Sequence, residues 1–160
     1  MSIEAFEFRR IMGHFVSGVT IVASKRPKSG QPCGLTASSI ASVSLEPPLV
    51  LVCIDKDADS HDCILESGFF SLNILAEGQE KLSRRFASWD LDEKFEGVAY
   101  REGATGAPIL EESLAWLDCR LWANYDGGDH TIFVGEVIEG DAIDAAPLLY
   151  YRGGYGRFIS

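Results

Sequence analysis

No run in this sequence approaches the roughly 20 apolar residues that a membrane-spanning helix needs. The amino terminus also lacks the charged, then apolar, then small-residue order of a secretory signal. A cytoplasmic protein with no membrane partner is therefore expected. Basic residues are scarce: 14 Lys and Arg stand against 24 Asp and Glu, giving a formal net charge of -10 and a pI near 4.7. Neutralising a phosphate backbone takes clustered cations. The densest basic group, Lys25-Arg26-Pro27-Lys28, reads as a loop, so no nucleic-acid partner is expected. Cysteine is sparse, and Cys33, Cys53, Cys63 and Cys119 form no Cys-x-x-Cys pair. In a reducing compartment they are expected as free thiols. His14, His61 and His130 are dispersed without metal-ligand spacing, so no metal site is expected. The chain also lacks a Gly-x-Gly-x-x-Gly turn, a P-loop and a nucleophile elbow. Any enzyme built on it would draw its reactivity from a cofactor.

What is present fits one domain, residues 1–160, with 46% hydrophobic residues and enough length for a core without staples. Phe8, Ile11, Met12 and Phe15 follow the spacing of a helix face, with Ser2 as a candidate cap. Strands are expected at 19–24, 34–44, 49–55, 69–75 and 148–152. Short helices are expected at 60–67, capped by Asp59 or Ser60 and ended by Gly68, and at 77–88. Residues 89–112 read as irregular with one short strand. The clearest hairpin joins 114–124 to 130–140 through the turn Asp126-Gly127-Gly128-Asp129. Glycines 153, 154 and 156 loosen the tail. Strands and helices do not alternate, so the fold class expected is mainly β: an antiparallel barrel with helices at its rim.

The segment Gly34 to Ile54 is the most informative. Thr36, Ser38, Ser39, Ser42 and Ser44 crowd five hydroxyls into nine residues, ahead of a Glu46-Pro47-Pro48 break and an apolar strand. Alternation points Thr36, Ser38, Ser42 and Ser44 to one face if no bulge intervenes. Such a row suits a flat polar ligand, whose approach to backbone N–H groups small side chains permit. It equally suits the solvent face of an edge strand.

The order of several segments decides between these readings. Phe15-Val16-Ser17-Gly18-Val19-Thr20, Gly34-Leu35-Thr36-Ala37-Ser38-Ser39, Ser42-Val43-Ser44-Leu45-Glu46-Pro47-Pro48 and Gly68-Phe69-Phe70-Ser71-Leu72-Asn73 come first. Leu82-Ser83-Arg84-Arg85-Phe86-Ala87, Gly106-Ala107-Pro108-Ile109-Leu110, Gly128-Asp129-His130 and Pro147-Leu148-Leu149-Tyr150-Tyr151-Arg152-Gly153-Gly154-Tyr155 follow. Over nearly its whole length the chain resembles the flavin reductase family. The resemblance implies a flavin-binding split barrel, a homodimer, FMN or FAD as flavin, NADH or NADPH as hydride donor, and delivery of reduced flavin to a separate oxygenase. It implies flavin contacts from Thr36, Ala37, Ser38, Ser39 and Ser42, from Cys53, Ile54 and Asp55, and from Arg84, Arg85, Phe86 and Tyr155. His130 is the implied nicotinamide-orienting residue. On residues alone, Arg84 and Arg85 are either phosphate ligands or solvated helix charges. Asn73, inside an apolar strand, is either a structural bridge or a ligand contact. Two other functions stay open: a flavin- or haem-binding sensor or carrier without turnover, and a flavoenzyme that retains its flavin for another small substrate.

Overall fold

A computed structural model describes all 160 residues. In chain order its elements are α1 (Ala5–Met12), β1 (Ser17–Gly18), β2 (Thr20–Lys25), β3 (Pro32–Ala37), β4 (Ile40–Leu45), β5 (Pro48–Asp55), α2 (Asp59–Ser67), β6 (Phe69–Ile74) and α3 (Glu80–Phe86). The second half adds β7 (Tyr100–Glu102), β8 (Pro108–Leu110), β9 (Ala115–Gly127), β10 (His130–Ala142), β11 (Leu148–Tyr151) and β12 (Gly154–Arg157). The chain is mainly β, and every strand pair is antiparallel.

The main sheet has seven strands in the order β3-β2-β6-β9-β10-β5-β4. Its two outermost strands, β3 and β4, are consecutive in the chain and separated only by Ser38 and Ser39. The sheet must therefore curl until its two margins approach at that corner. β2 sits one strand in and is buried on both faces. Ile21 packs with Leu75, Phe86, Leu110 and Leu148, while Val22 packs with Val52, Ile54, Phe70, Leu72 and Phe133. Each such side chain contributes about 1.5–3 kcal/mol on burial. Asn73 is fully buried and structural: its amide donates to the Ile21 carbonyl (3.1 Å) and its oxygen accepts the Leu110 N–H (2.9 Å).

The β9–β10 hairpin turns on two residues, because His130 pairs with Gly127. Gly128 has φ +81° and Asp129 does not share that sign, the pattern of a II′ turn. This loop points the start of β10 at one end of the sheet.

Several expectations need correction. The strand expected at 34–44 is two strands, broken at Ser38–Ser39, with a register shift between Ser42 and Ser44. Thr36 and Ser38 consequently do not share a face with Ser42 and Ser44. The segment 89–112 holds two short strands, β7 and β8, and the tail forms a hairpin, β11–β12, whose turn residues Arg152 and Gly153 both have positive φ. α1 and α2 start without side-chain caps, although Gly68 ends α2 with φ +75° as its position predicts. The apolar residues of α1 reach no core; Phe8, Ile11, Met12 and Phe15 are all exposed. Cys33 and Cys63 are not free thiols but a disulfide joining β3 to α2. Compartment and spacing arguments do not see that α2 lies across β2 and β3, which brings these two positions together. Cys53 and Cys119 are free, and burial, then the charge of Asp118, pushes the Cys119 thiol up to about 12, so it stays protonated.

Candidate functional site

A cavity of about 540 Å³ opens at the Ser38–Ser39 corner, within the usual size of a small-molecule site of about 300–1,000 Å³. Its floor is β3 from Pro32 to Ala37, continued by Ser38 and Ser39. One wall is Cys53 and Asp55 at the end of β5, Ala58 to Ser60 leading into α2, and His130. The facing wall is Phe86 and the segment after α3, with Trp89, Leu91, Asp92, Lys94 and Phe95.

Strand alternation decides which β5 side chains take part. Cys53 and Asp55 face the cavity, while Ile54 turns to the core and is fully buried. Ser39 donates its hydroxyl to the Cys53 carbonyl (3.1 Å), and its own carbonyl accepts the Cys53 N–H (3.2 Å). These bonds clamp the corner to β5. The N–H groups of Ser38 and Ser39 and the Ser38 hydroxyl have no acceptor within the protein, so three donors remain for a ligand. Thr36 lines the cavity but spends its hydroxyl on the Ser83 carbonyl (2.6 Å), tying β3 to α3.

His130 stands opposite Asp55 across the β5–β10 ladder. Its Nδ1 lies 2.7 Å from the Asp129 carboxylate. That hydrogen bond, then the histidine's charge, holds the Asp129 carboxyl below the usual carboxylate range. The carboxylate accepts, so Nδ1 carries the proton and Nε2 is free to bond a ligand. The neighbouring Thr131 hydroxyl bonds Nε2 of the buried His61 (2.7 Å). This contact joins α2, which bears Asp59 and Ser60, to the strand that carries His130.

The cavity thus gathers Thr36, Ala37, Ser38, Ser39, Cys53, Asp55, Phe86 and His130 from the sequence expectations. Ser42, Ile54, Arg84, Arg85 and Tyr155 lie outside it. Ser42 is past the corner on β4, and exposed. Arg84 pairs with Glu80 and lies over the Tyr155 ring (4.9 Å), on the other side of α3. The Tyr155 hydroxyl bonds Ser83 (2.7 Å). Arg85 donates to the carbonyls of Glu93 (3.1 Å) and Glu96 (2.7 Å), holding the segment after α3 in place. Helix periodicity explains the split: Phe86 faces inward only because Arg84 and Arg85 do not. The sequence reading missed Trp89, Leu91, Asp92, Lys94 and Phe95. They sit in a segment with no periodicity, and an isolated lysine among acidic residues carries no local signal.

Residues 12–158 match the flavin reductase like domain. The chain belongs to that family. A relative from Rhodococcus opacus, the reductase component of 4-nitrophenol 4-monooxygenase/4-nitrocatechol 2-monooxygenase, is 44% identical over 153 residues, covering 96% of this chain and 80% of its own. Among solved structures, nitrilotriacetate monooxygenase component B from Mycobacterium thermoresistibile superposes with a TM-score of 0.91 at 41% identity, over 96% of this chain and 86% of that one. The NADH:FAD oxidoreductase of Streptomyces globisporus, solved with NAD and FAD fragments, superposes with a TM-score of 0.90 at 39% identity, over 98% of this chain and 93% of that one.

Proposed function

We propose that this protein is an NAD(P)H-dependent flavin reductase that supplies reduced FAD or FMN to a separate oxygenase. Family membership and the names of the relatives support the reading. The observation that carries it is the cavity at the Ser38–Ser39 corner, where free N–H and hydroxyl donors face apolar Phe86, Trp89 and Leu91. That pairing fits a ring that is flat and apolar over its faces and polar along one edge. A bound flavin supplies the capacity to accept a hydride and pass on two electrons. The chain's own residues hold and orient. Ser38 and Ser39 donate to the polar edge, stabilising charge that develops there. Thr36, Ala37, Cys53, Asp55 and Phe86 shape the floor and walls. His130, fixed by Asp129, offers Nε2 to the nicotinamide amide and so raises the population of reactive poses. No residue acts as an obligatory base, because hydride transfer needs none.

The same reading includes a split barrel, a cytoplasmic setting and a homodimer. Phe6, Phe8, Ile11, Met12, Phe15 and Val16 are all exposed on or just after α1, and a cluster of exposed apolar side chains marks an interaction surface. The test is steady-state oxidation of NADH and of NADPH with FAD and with FMN. Turnover with at least one pair, and flavin lost on gel filtration, is the expected outcome. Binding without turnover would make the protein a carrier. Flavin retained through filtration would make it a flavoenzyme acting on another substrate.

A further inference from the structure

We propose that Lys94 is the residue that binds a phosphate group of the nucleotide held in the cavity. The inference rests on the cavity being a nucleotide site, as above. Lys94 is half-buried and is the single Lys or Arg among the lining residues. Its Nζ donates to two neutral acceptors, the carbonyls of Gly34 (3.3 Å) and Phe86 (3.1 Å). It makes no ion pair, whereas Arg26 pairs with Asp59, Lys56 with Asp126, Arg84 with Glu80 and Arg157 with Glu77. The nearby Asp59 charge offsets part of its cost, but the Asp59 carboxylate is engaged by Arg26 (2.5 Å). Desolvation lowers the Lys94 pKa for this reason.

An ammonium has three protons, and two are committed to the carbonyls. The third is left for an anion entering the cavity, where Lys94 is the cation facing the lining carboxylates Asp55, Asp59 and Asp92 without an ion pair to any of them. The carbonyl pair also fixes the position of the charge before a ligand arrives, linking β3 to the segment after α3. Arg84 and Arg85, which the sequence left as either phosphate ligands or solvated helix charges, are engaged elsewhere, by Glu80 and by the carbonyls of Glu93 and Glu96. The phosphate belongs to either of two nucleotides, the flavin or the nicotinamide, and matched ligands with and without phosphate tell them apart.

The experiment titrates FAD, FMN and riboflavin, and separately NADH and a phosphate-free N-alkyl dihydronicotinamide, onto the wild type, Lys94→Met and Lys94→Arg. Loss of one charge-assisted hydrogen bond is expected to weaken the phosphate-bearing ligand by about tenfold or more. Its phosphate-free counterpart should change by no more than about twofold, and Arg should restore part of the loss. Selective loss for FMN over riboflavin assigns the flavin phosphate; selective loss for NADH assigns the nicotinamide nucleotide. Equal weakening with and without phosphate, or none, would overturn the proposal. Should Lys94→Met not fold, the wild type decides: its preference for FMN over riboflavin, or for NADH over the dihydronicotinamide, must exist and must shrink as salt rises. Absence of both preferences sinks the assignment. Wild-type binding without NADH oxidation would instead remove the reductase reading and leave Lys94 standing, whereas no binding of either nucleotide would remove both.

Discussion

His130 and Ser39 carry the most direct consequences at the scale of single residues. His130→Ala should raise the nicotinamide KM or slow flavin reduction in rapid mixing, with flavin affinity nearly unchanged. His130→Asn should retain more activity, because a donor and an acceptor remain. Wild-type kinetics in the alanine variant would remove His130 from the site. Ser39→Leu should fill the corner and abolish tight flavin binding. Ser39→Ala should cost only about 1 kcal/mol, the net worth of its bond to the Cys53 carbonyl, read as a shift in urea midpoint. Lys94 adds a pH dependence. Its folded pKa lies below the ordinary 10.5, so the folded chain gives up this proton before the unfolded chain does. Between those two values stability should rise with pH, and nucleotide affinity should fall. Urea midpoints of wild type minus Lys94→Met, compared from neutral pH to above 10.5, should show that rise; a flat difference would mean that the buried charge carries no strain. The sequence named His130 and Ser39 as candidates through motif position, and both line the cavity. It did not name Lys94, whose proposed role depends on two carbonyls that lie 60 and 8 residues away in the chain.

Elements were legible where one local rule decided them. Gly68 ended α2, and Gly128 turned the β9–β10 hairpin, because positive φ belongs to glycine. Rules failed where tertiary context decided. Nothing local says that a run of hydroxyl residues stops at Ser38, and alternation across that break misassigned Ser42. The arm from Tyr150 to Phe158 looked loose because of its glycines, yet β11–β12 is a hairpin whose turn uses one of them. The Cys33–Cys63 bond belongs to this scale as well, because it ties the cavity floor to α2. It closes a loop with a sequence separation of 30 residues, for which the chain-entropy relation gives about 3–4 kcal/mol. Cys33→Ser with Cys63→Ser, or treatment with a dithiol, should lower the thermal midpoint accordingly and weaken flavin binding, since Pro32, Cys33 and Ala58 to Ser60 all line the cavity. An unchanged midpoint under reducing conditions would show that the bond does not form in solution.

For the molecule as a whole, the mainly antiparallel class followed from the lack of strand–helix alternation, and the order of motifs added the family. Neither said that α1 would hold its apolar face in solvent. A second copy of the chain is the expected cover. Light scattering at micromolar concentration should give twice the 17.5 kDa of one chain, and Phe8→Glu with Ile11→Glu should shift the mass toward 17.5 kDa. A wild type that stays at the single-chain mass would leave that face without its proposed partner. The position of β3 has another consequence. An outermost strand with an unpaired side is ordinarily a template on which other chains can polymerise. Here that strand forms the floor of a cavity, with α2 on one flank and Trp89 to Phe95 on the other, and a lysine ammonium caps the Gly34 carbonyl. A foreign strand would have to displace that cover, so the arrangement proposed to receive a small flat guest should also resist edge-to-edge association.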